Sequence, residues 1–173
     1  MIPDFARNHF ELLGLPVAFA VDPARLESRY RELQGRVHPD RFAAGSEAER
    51  RVAMQWATRA NEAYRTLRDP LARARYLLQL RGFDTGEESN TSMPPDFLMQ
   101  QMEWREAAAE ASRAHDAAAL RRLNAELAGE RREMLERLER ALDASNYDAG
   151  CSLVRKLRFL EKLDEEIDDA ANP

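Results

Sequence analysis

Apolar residues in this chain recur every three or four positions over long stretches, and nowhere do they alternate for long enough to suggest a strand. Alanine, arginine, leucine and glutamate dominate while β-branched residues are scarce, so intrinsic propensity favours helix nearly everywhere. The expected fold class is all-α. One interruption divides the chain: Gly82 to Asp96 holds Gly86, Ser89, Asn90, Thr91, Ser92, Pro94 and Pro95, which are turn and linker residues. An N-terminal unit over 1–80, a linker over 81–96 and a C-terminal unit over 97–173 are expected.

Helix ends can be read from local chemistry. In the first unit, a short helix over Phe5 to Leu13 stops at Gly14 and Pro16. Asp22-Pro23 starts a second, with a capping side chain followed by proline at the first helical position. Its stripe is Leu26, Tyr30, Leu33 and Val37, and Pro39 ends it because the residue before a proline leaves helical geometry. Ser46 and Glu49 form a capping box for a third helix, which buries Ala53, Ala57, Ala60, Tyr64 and Leu67. Asp69-Pro70 ends that helix, and Leu71 to Leu80 form a fourth. The second and third helices, matched in length and joined by a short loop, should lie antiparallel.

The C-terminal unit is expected to be a three-helix bundle. Asp96 is placed as the cap of a helix running to about Ala114. Asp116 caps the next, with Leu120, Leu123, Leu127, Met134, Leu138 and Leu142 on its apolar face. Ser145 and Asp148 start the last, whose stripe includes Leu153, Leu157, Leu160 and Ile167. Gly129 either bends the middle helix or is simply tolerated there.

Composition excludes several classes of function. A net charge of −5 and a pI near 5.4 argue against sequence-independent nucleic-acid binding. The single cysteine, Cys151, allows no disulfide framework and no cysteine-rich metal site, and is expected to be a small core residue. No basic stretch followed by an apolar run marks a secretory signal near Met1, and no apolar run is long enough to span a membrane. A reduced, cytoplasmic protein is expected.

The loop between helices two and three begins His38-Pro39-Asp40-Arg41-Phe42. Alone, His-Pro-Asp reads equally well as a turn, proline fixing the bend and aspartate bonding the backbone. A catalytic His38 would need a nucleophile or a relay partner. The other histidines, His9 and His115, bring no Ser/His/Asp or metal-ligand spacing with them. Upstream, Arg25, Arg29, Glu32 and Arg36 share one side of the second helix, a basic face that serves either solubility or docking. On the first bundle helix, Phe97, Trp104, Ala108 and Ala111 cluster on a core side. Leu98, Met99, Met102, Glu103, Glu106 and Glu110 fall opposite. That second group either packs on the linker or the first unit, or stands open as a binding face. Phe159 also lies off the stripe of its helix.

Phe10-Glu11-Leu12-Leu13-Gly14-Leu15, His38-Pro39-Asp40, Ala60-Asn61-Glu62-Ala63-Tyr64 with Leu67, and Asp69-Pro70 together resemble a J domain, in the right order. The resemblance implies that His38, Pro39 and Asp40 dock on an ATP-driven chaperone of the DnaK class and stimulate its ATP hydrolysis. Arg25, Arg29, Arg36 and Arg41 would supply steering charge. J domains often carry lysine at the position of Arg41, and the charge is preserved.

The Gly/Phe-rich linker and paired Cys-x-x-Cys motifs of general J proteins are missing. The chain is instead similar to the HscB family of iron–sulfur assembly co-chaperones. The resemblance is carried by His38-Pro39-Asp40-Arg41-Phe42-Ala43, Ala74-Arg75-Tyr76-Leu77-Leu78, Gly82-Phe83-Asp84, Phe97-Leu98-Met99, Trp104-Arg105-Glu106 and Val154-Arg155-Lys156-Leu157-Arg158-Phe159-Leu160. It implies a protein that catalyses nothing itself and holds no cofactor or metal. Its bundle would bind an IscU-type scaffold and deliver it to an HscA-type chaperone. Leu98, Met99, Met102, Glu103, Glu106 and Phe159 match the family's scaffold-binding positions, with Glu110 beside them. The cysteine-rich segment and transit sequence of eukaryotic relatives are missing, which suggests a bacterial form.

Overall fold

The computed structural model describes residues 7–42, 44–86 and 93–171, excepting the side chains of Pro39, Arg41 and residues 169–171. Phe5, Ala43, Ser89, Asn90, Thr91 and Ser92, named above, lie outside the described residues, as do the side chains of Pro39 and Arg41. The described residues contain helices and no strands, in two compact units, Met1–Leu80 and Arg81–Pro173. No helix among them is long and apolar enough to cross a membrane.

The first unit holds α1 (His9–Leu12), α2 (Pro23–Val37), a 3-10 turn (Pro39–Phe42), α3 (Glu47–Arg68) and α4 (Pro70–Leu80). α1 is shorter than expected. Asn8 caps it through a capping box with Glu11, each side chain accepting the other residue's N–H at 3.0 Å. The Asp22 carboxylate caps α2 by accepting the N–H of Ala24 at 2.9 Å, and the Ser46/Glu49 box starts α3. Helix α2 stops at His38, whose extended backbone (φ −58°, ψ 129°) is the geometry a following proline imposes.

Phe10, Leu13, Leu26, Ala60, Ala63, Leu67, Leu71, Ala74 and Leu78 are buried and build the core of this unit. Of the α2 stripe only Leu26 is fully buried; Tyr30, Leu33 and Val37 are half-buried. A polar layer fastens the rest of α2 to α3. The Tyr30 hydroxyl donates to Asn61 Oδ1 at 2.7 Å, and the Gln34 amide reaches the Tyr30 hydroxyl (2.5 Å) and Asn61 Oδ1 (3.2 Å). The Tyr30 and Tyr64 rings stack at 4.1 Å, and the Tyr64 hydroxyl donates to Glu27. Partners thus descend along α3 as they ascend along α2, the signature of an antiparallel hairpin. The Tyr64–Glu27 bond also holds the Glu27 carboxyl below the ordinary carboxylate range and raises the Tyr64 phenol. α1 closes the other side, where the buried His9 stacks on Tyr76 at 4.2 Å and donates its backbone N–H to the Tyr76 hydroxyl.

The second unit holds α5 (Pro95–Arg113), α6 (Ala117–Asp143) and α7 (Tyr147–Ala171). Two expected helix starts shift. Asp96 does not cap α5: Pro94 occupies the cap and Pro95 the first turn, leaving Asp96 inside the helix. Ser145 does not start α7, because its backbone (φ +56°) closes the left-handed C-terminal turn of α6. There the Ser145 and Asn146 N–H groups bond the carbonyls of Leu142 and Ala141. Asn146 instead accepts the N–H of Ala149 at 3.2 Å. α5 ends in the same way at His115 (φ +53°). α6 continues unbroken through Gly129.

Cross-links set the order of the bundle. Trp104 Nε1 donates to Glu126 (2.8 Å) and Arg131 pairs with Glu161 (3.5 Å), so α6 runs antiparallel to both neighbours. Lys156 lies over the Phe97 ring (5.1 Å) and Arg105 pairs with Glu166 (3.0 Å), so α5 and α7 run parallel. The core combines Phe97, Trp104, Leu127, Leu138, Val154, Leu157, Leu160, Leu163 and Ile167. Part of the expected linker belongs to this body. Met93 is buried, the Phe83 ring packs on Tyr147, and Arg155 donates to the Thr85 carbonyl (2.9 Å).

Candidate functional site

Two separate surfaces carry the residues singled out by sequence. The first is the loop after α2. The His38 and Asp40 side chains are 56% and 90% exposed, which leaves them free for a partner. The Asp40 N–H donates to His38 Nδ1 at 3.3 Å, and the Asp40 carboxylate lies 3.6 Å from that nitrogen. With Nδ1 accepting, the neutral ring carries its proton on Nε2, assigned from the hydrogen-bond pattern. The Asp40 backbone thus holds the imidazole from one side, and more than half of the His38 side chain stays open to solvent.

Arg25, Arg29 and Arg36 are exposed along α2. Arg29 and Arg36 both reach Glu32, at 3.2 and 2.5 Å, so one carboxylate offsets part of the basic face. On the other flank Glu27 is engaged by Arg31 at 2.8 Å. Pairs this exposed are weak and screened by salt, so the arginines remain available to a partner.

The second surface is the outer side of α5. Leu98, Met99 and Met102 are 42%, 64% and 70% exposed, and Glu103, Glu106 and Glu110 are exposed with them. Phe97, Trp104, Ala108 and Ala111 face the core. Gln101, which periodicity did not single out, is buried with them. Arg105, seven residues after Leu98 and so about 20° from it around the helix, reaches Glu166 of α7. The Leu98 flank of α5 is therefore the one bordering α7. Phe159 is half-buried and lies between Lys156 and Glu166, the two α7 residues that touch α5, so it stands at the level of the exposed row.

Cys151 is buried, and burial pushes its thiol above the usual range. Among the described residues, no three His, Cys, Asp or Glu side chains come together to hold a metal.

Comparison with known proteins assigns the family. A protein from Burkholderia multivorans named co-chaperone protein HscB homolog is 56% identical over 160 residues, covering 92% of this chain and 91% of the relative. The chain belongs to the HscB family of co-chaperones. Residues 93–168 match the family profile described as the HSCB C-terminal oligomerisation domain. The HscB chaperone of Vibrio cholerae superposes with a TM-score of 0.87 at 43% identity, covering 94% of this chain and 96% of that one. The human co-chaperone HscB gives 0.92 at 32% identity, over 99% of this chain and 85% of that one. The first unit of this HscB-family chain is thus a J domain and the second a helical C-terminal domain. Within the J domain, the Ala60–Tyr64 motif gains a physical role: Ala60 and Ala63 are fully buried, while Asn61 and Tyr64 bind α2.

Proposed function

We propose that this HscB-family chain is an adaptor in iron–sulfur cluster assembly. Its C-terminal domain binds an IscU-type scaffold through the outer side of α5 and Phe159. Its J domain presents the His38-Pro39-Asp40 loop and the arginines of α2 to an HscA-type chaperone of the DnaK class. Docking of the loop stimulates the chaperone's ATPase, and the scaffold arrives as the client, in the bacterial cytoplasm. The chain supplies no catalytic group of its own. The observation that carries the proposal is the row Leu98–Met99–Met102, left open beside carboxylates on a helix whose other face is fully used in the core. Methionines suit such a surface because they adapt to a partner's shape.

The test is the chaperone's steady-state ATPase with this chain, with the scaffold, and with both. Synergy is expected, and His38→Gln should abolish stimulation without altering the melting temperature, since an exposed loop side chain contributes little to folding. Unchanged stimulation by His38→Gln would remove the J-domain role. Stimulation without synergy would favour a J protein for another client. The description of the matched family as an oligomerisation domain favours a second use of the open row, contact with another copy of this chain. Sedimentation equilibrium decides that: a monomer at concentrations where the scaffold binds leaves the row to the scaffold.

A further inference from the structure

We infer that Lys156 of α7 is an orienting contact for the scaffold, making the binding face dipolar: a cation at one end of the apolar row and carboxylates at the other. The inference rests on the proposed scaffold role and adds a direction to it.

The cations on this stretch of α7 differ in how they are used. Arg155 donates to the Thr85 carbonyl and Arg158 pairs with Glu161. Lys156 has no carboxylate partner among the described residues; its ammonium lies 5.1 Å from the centre of the ring of Phe97, the residue that precedes Leu98 in α5. A half-buried lysine that, among the described residues, is held by a ring face keeps most of its charge available for a partner. Asp96, the first carboxylate of α5, projects about 100° around the helix from Phe97, on the side away from Leu98. Lys156 precedes Phe159 by three residues, on the same side of α7.

Glu103, Glu106 and Glu110 begin six residues beyond Phe97, so the acidic end lies about 9–20 Å along the axis at about 1.5 Å per residue. That separation exceeds a Debye length of roughly 8 Å at physiological ionic strength, so the two poles act separately on a partner. The matching surface is an apolar strip with a carboxylate at one end and basic side chains at the other. Reversed docking would bring like charges together at both ends, and such juxtaposition fixes register and encounter rate more than final affinity.

The experiment is stopped-flow association of the full chain with the IscU-type scaffold across a range of salt concentrations. Lys156→Glu should slow association roughly tenfold at low salt and by less than about twofold at high salt. A carboxylate over the Phe97 ring face could disturb the bundle, so Lys156→Met is measured alongside it. Methionine keeps an apolar stem on the ring and should still slow association by roughly twofold to threefold at low salt, with an unchanged melting temperature. Wild-type rates at all salt concentrations for Lys156→Met, or faster association for Lys156→Glu, would overturn the inference. The Leu98→Ala/Met102→Ala variant separates the two levels. If it binds the scaffold like the wild type, the scaffold face itself is misplaced and Lys156 falls with it. If it loses affinity while the Lys156 variants keep wild-type rates, only the orienting role falls.

Discussion

The Leu98→Ala/Met102→Ala double variant distinguishes a docking face from a loosely packed core. In the free chain Met102 is largely in water at 70% exposed, and Leu98 keeps 42% of its surface there. Truncation therefore removes only part of one side chain's covered area, that of Leu98, and leaves no enclosed cavity, and substitutions at exposed positions stay within about 0.5 kcal/mol. Alanine at either position also improves or preserves helix propensity. In a complex both would be central apolar anchors, where truncation typically costs about 1–2 kcal/mol each. Together that is about 2–4 kcal/mol, or roughly a 30- to 1,000-fold rise in Kd. Phe159 is left out because it is half-buried, so its loss would weaken folding and binding together. Titration calorimetry against the scaffold, with a thermal melt of the same sample, gives both quantities. Weakened binding with an unchanged melt is expected. A lowered melt with unaltered Kd would return these residues to structural packing.

Three further outcomes follow from the structure. Raising salt from about 0.05 to about 0.5 M should slow association with the chaperone, and Arg29→Glu/Arg36→Glu should slow it further; Glu32→Gln, which releases both arginines, should accelerate it at low salt, and a rate indifferent to salt and to all three changes would make the α2 face mere solubility. His9 has its pKa lowered from 6.5, first by burial, so the unfolded chain takes up its proton before the native one does. Stability of the J domain should be full above that pH, fall as pH drops through 6.5 toward the lower native value, and lose this slope in His9→Phe, as read by melts across pH. Ser145→Gly should stabilise the C-terminal domain by about 1 kcal/mol, or roughly 4–8 °C, because glycine adopts the left-handed turn without a Cβ penalty; only an exposed 3.3 Å bond from the Tyr147 hydroxyl is lost, and calorimetry showing no gain would refute the strain.

Local chemistry determined what lay within one helical turn or one residue type. The apolar period fixes the number and type of the long helices, and Asp22-Pro23, Ser46/Glu49, Asp69-Pro70 and Asp116 mark their ends, because capping and proline geometry act over only a few residues. The exposed side of α5 is likewise a matter of period. Where two local signals competed, packing and turn geometry decided. Ser145 went to the end of α6 and left Asn146 to cap α7, while the Pro94-Pro95 pair set the start of α5 before Asp96.

Pairings across long stretches of chain were decided only by tertiary structure. Asn61 meets Tyr30 across 31 residues, His9 meets Tyr76 across 67, and Arg105 meets Glu166 across 61. A period gives a residue's direction around its own helix but not the neighbour it meets, which depends on the axial shift and rotation of the other helix. Tyr30 of α2 looked like part of an apolar stripe and proved to belong to a hydrogen-bonded layer with Gln34 and Asn61. Gln101, which periodicity did not single out, is buried. Lys156, one cation in a basic run, acquires its distinct position only because α7 lies parallel to α5 and carries that ammonium to the Phe97 ring.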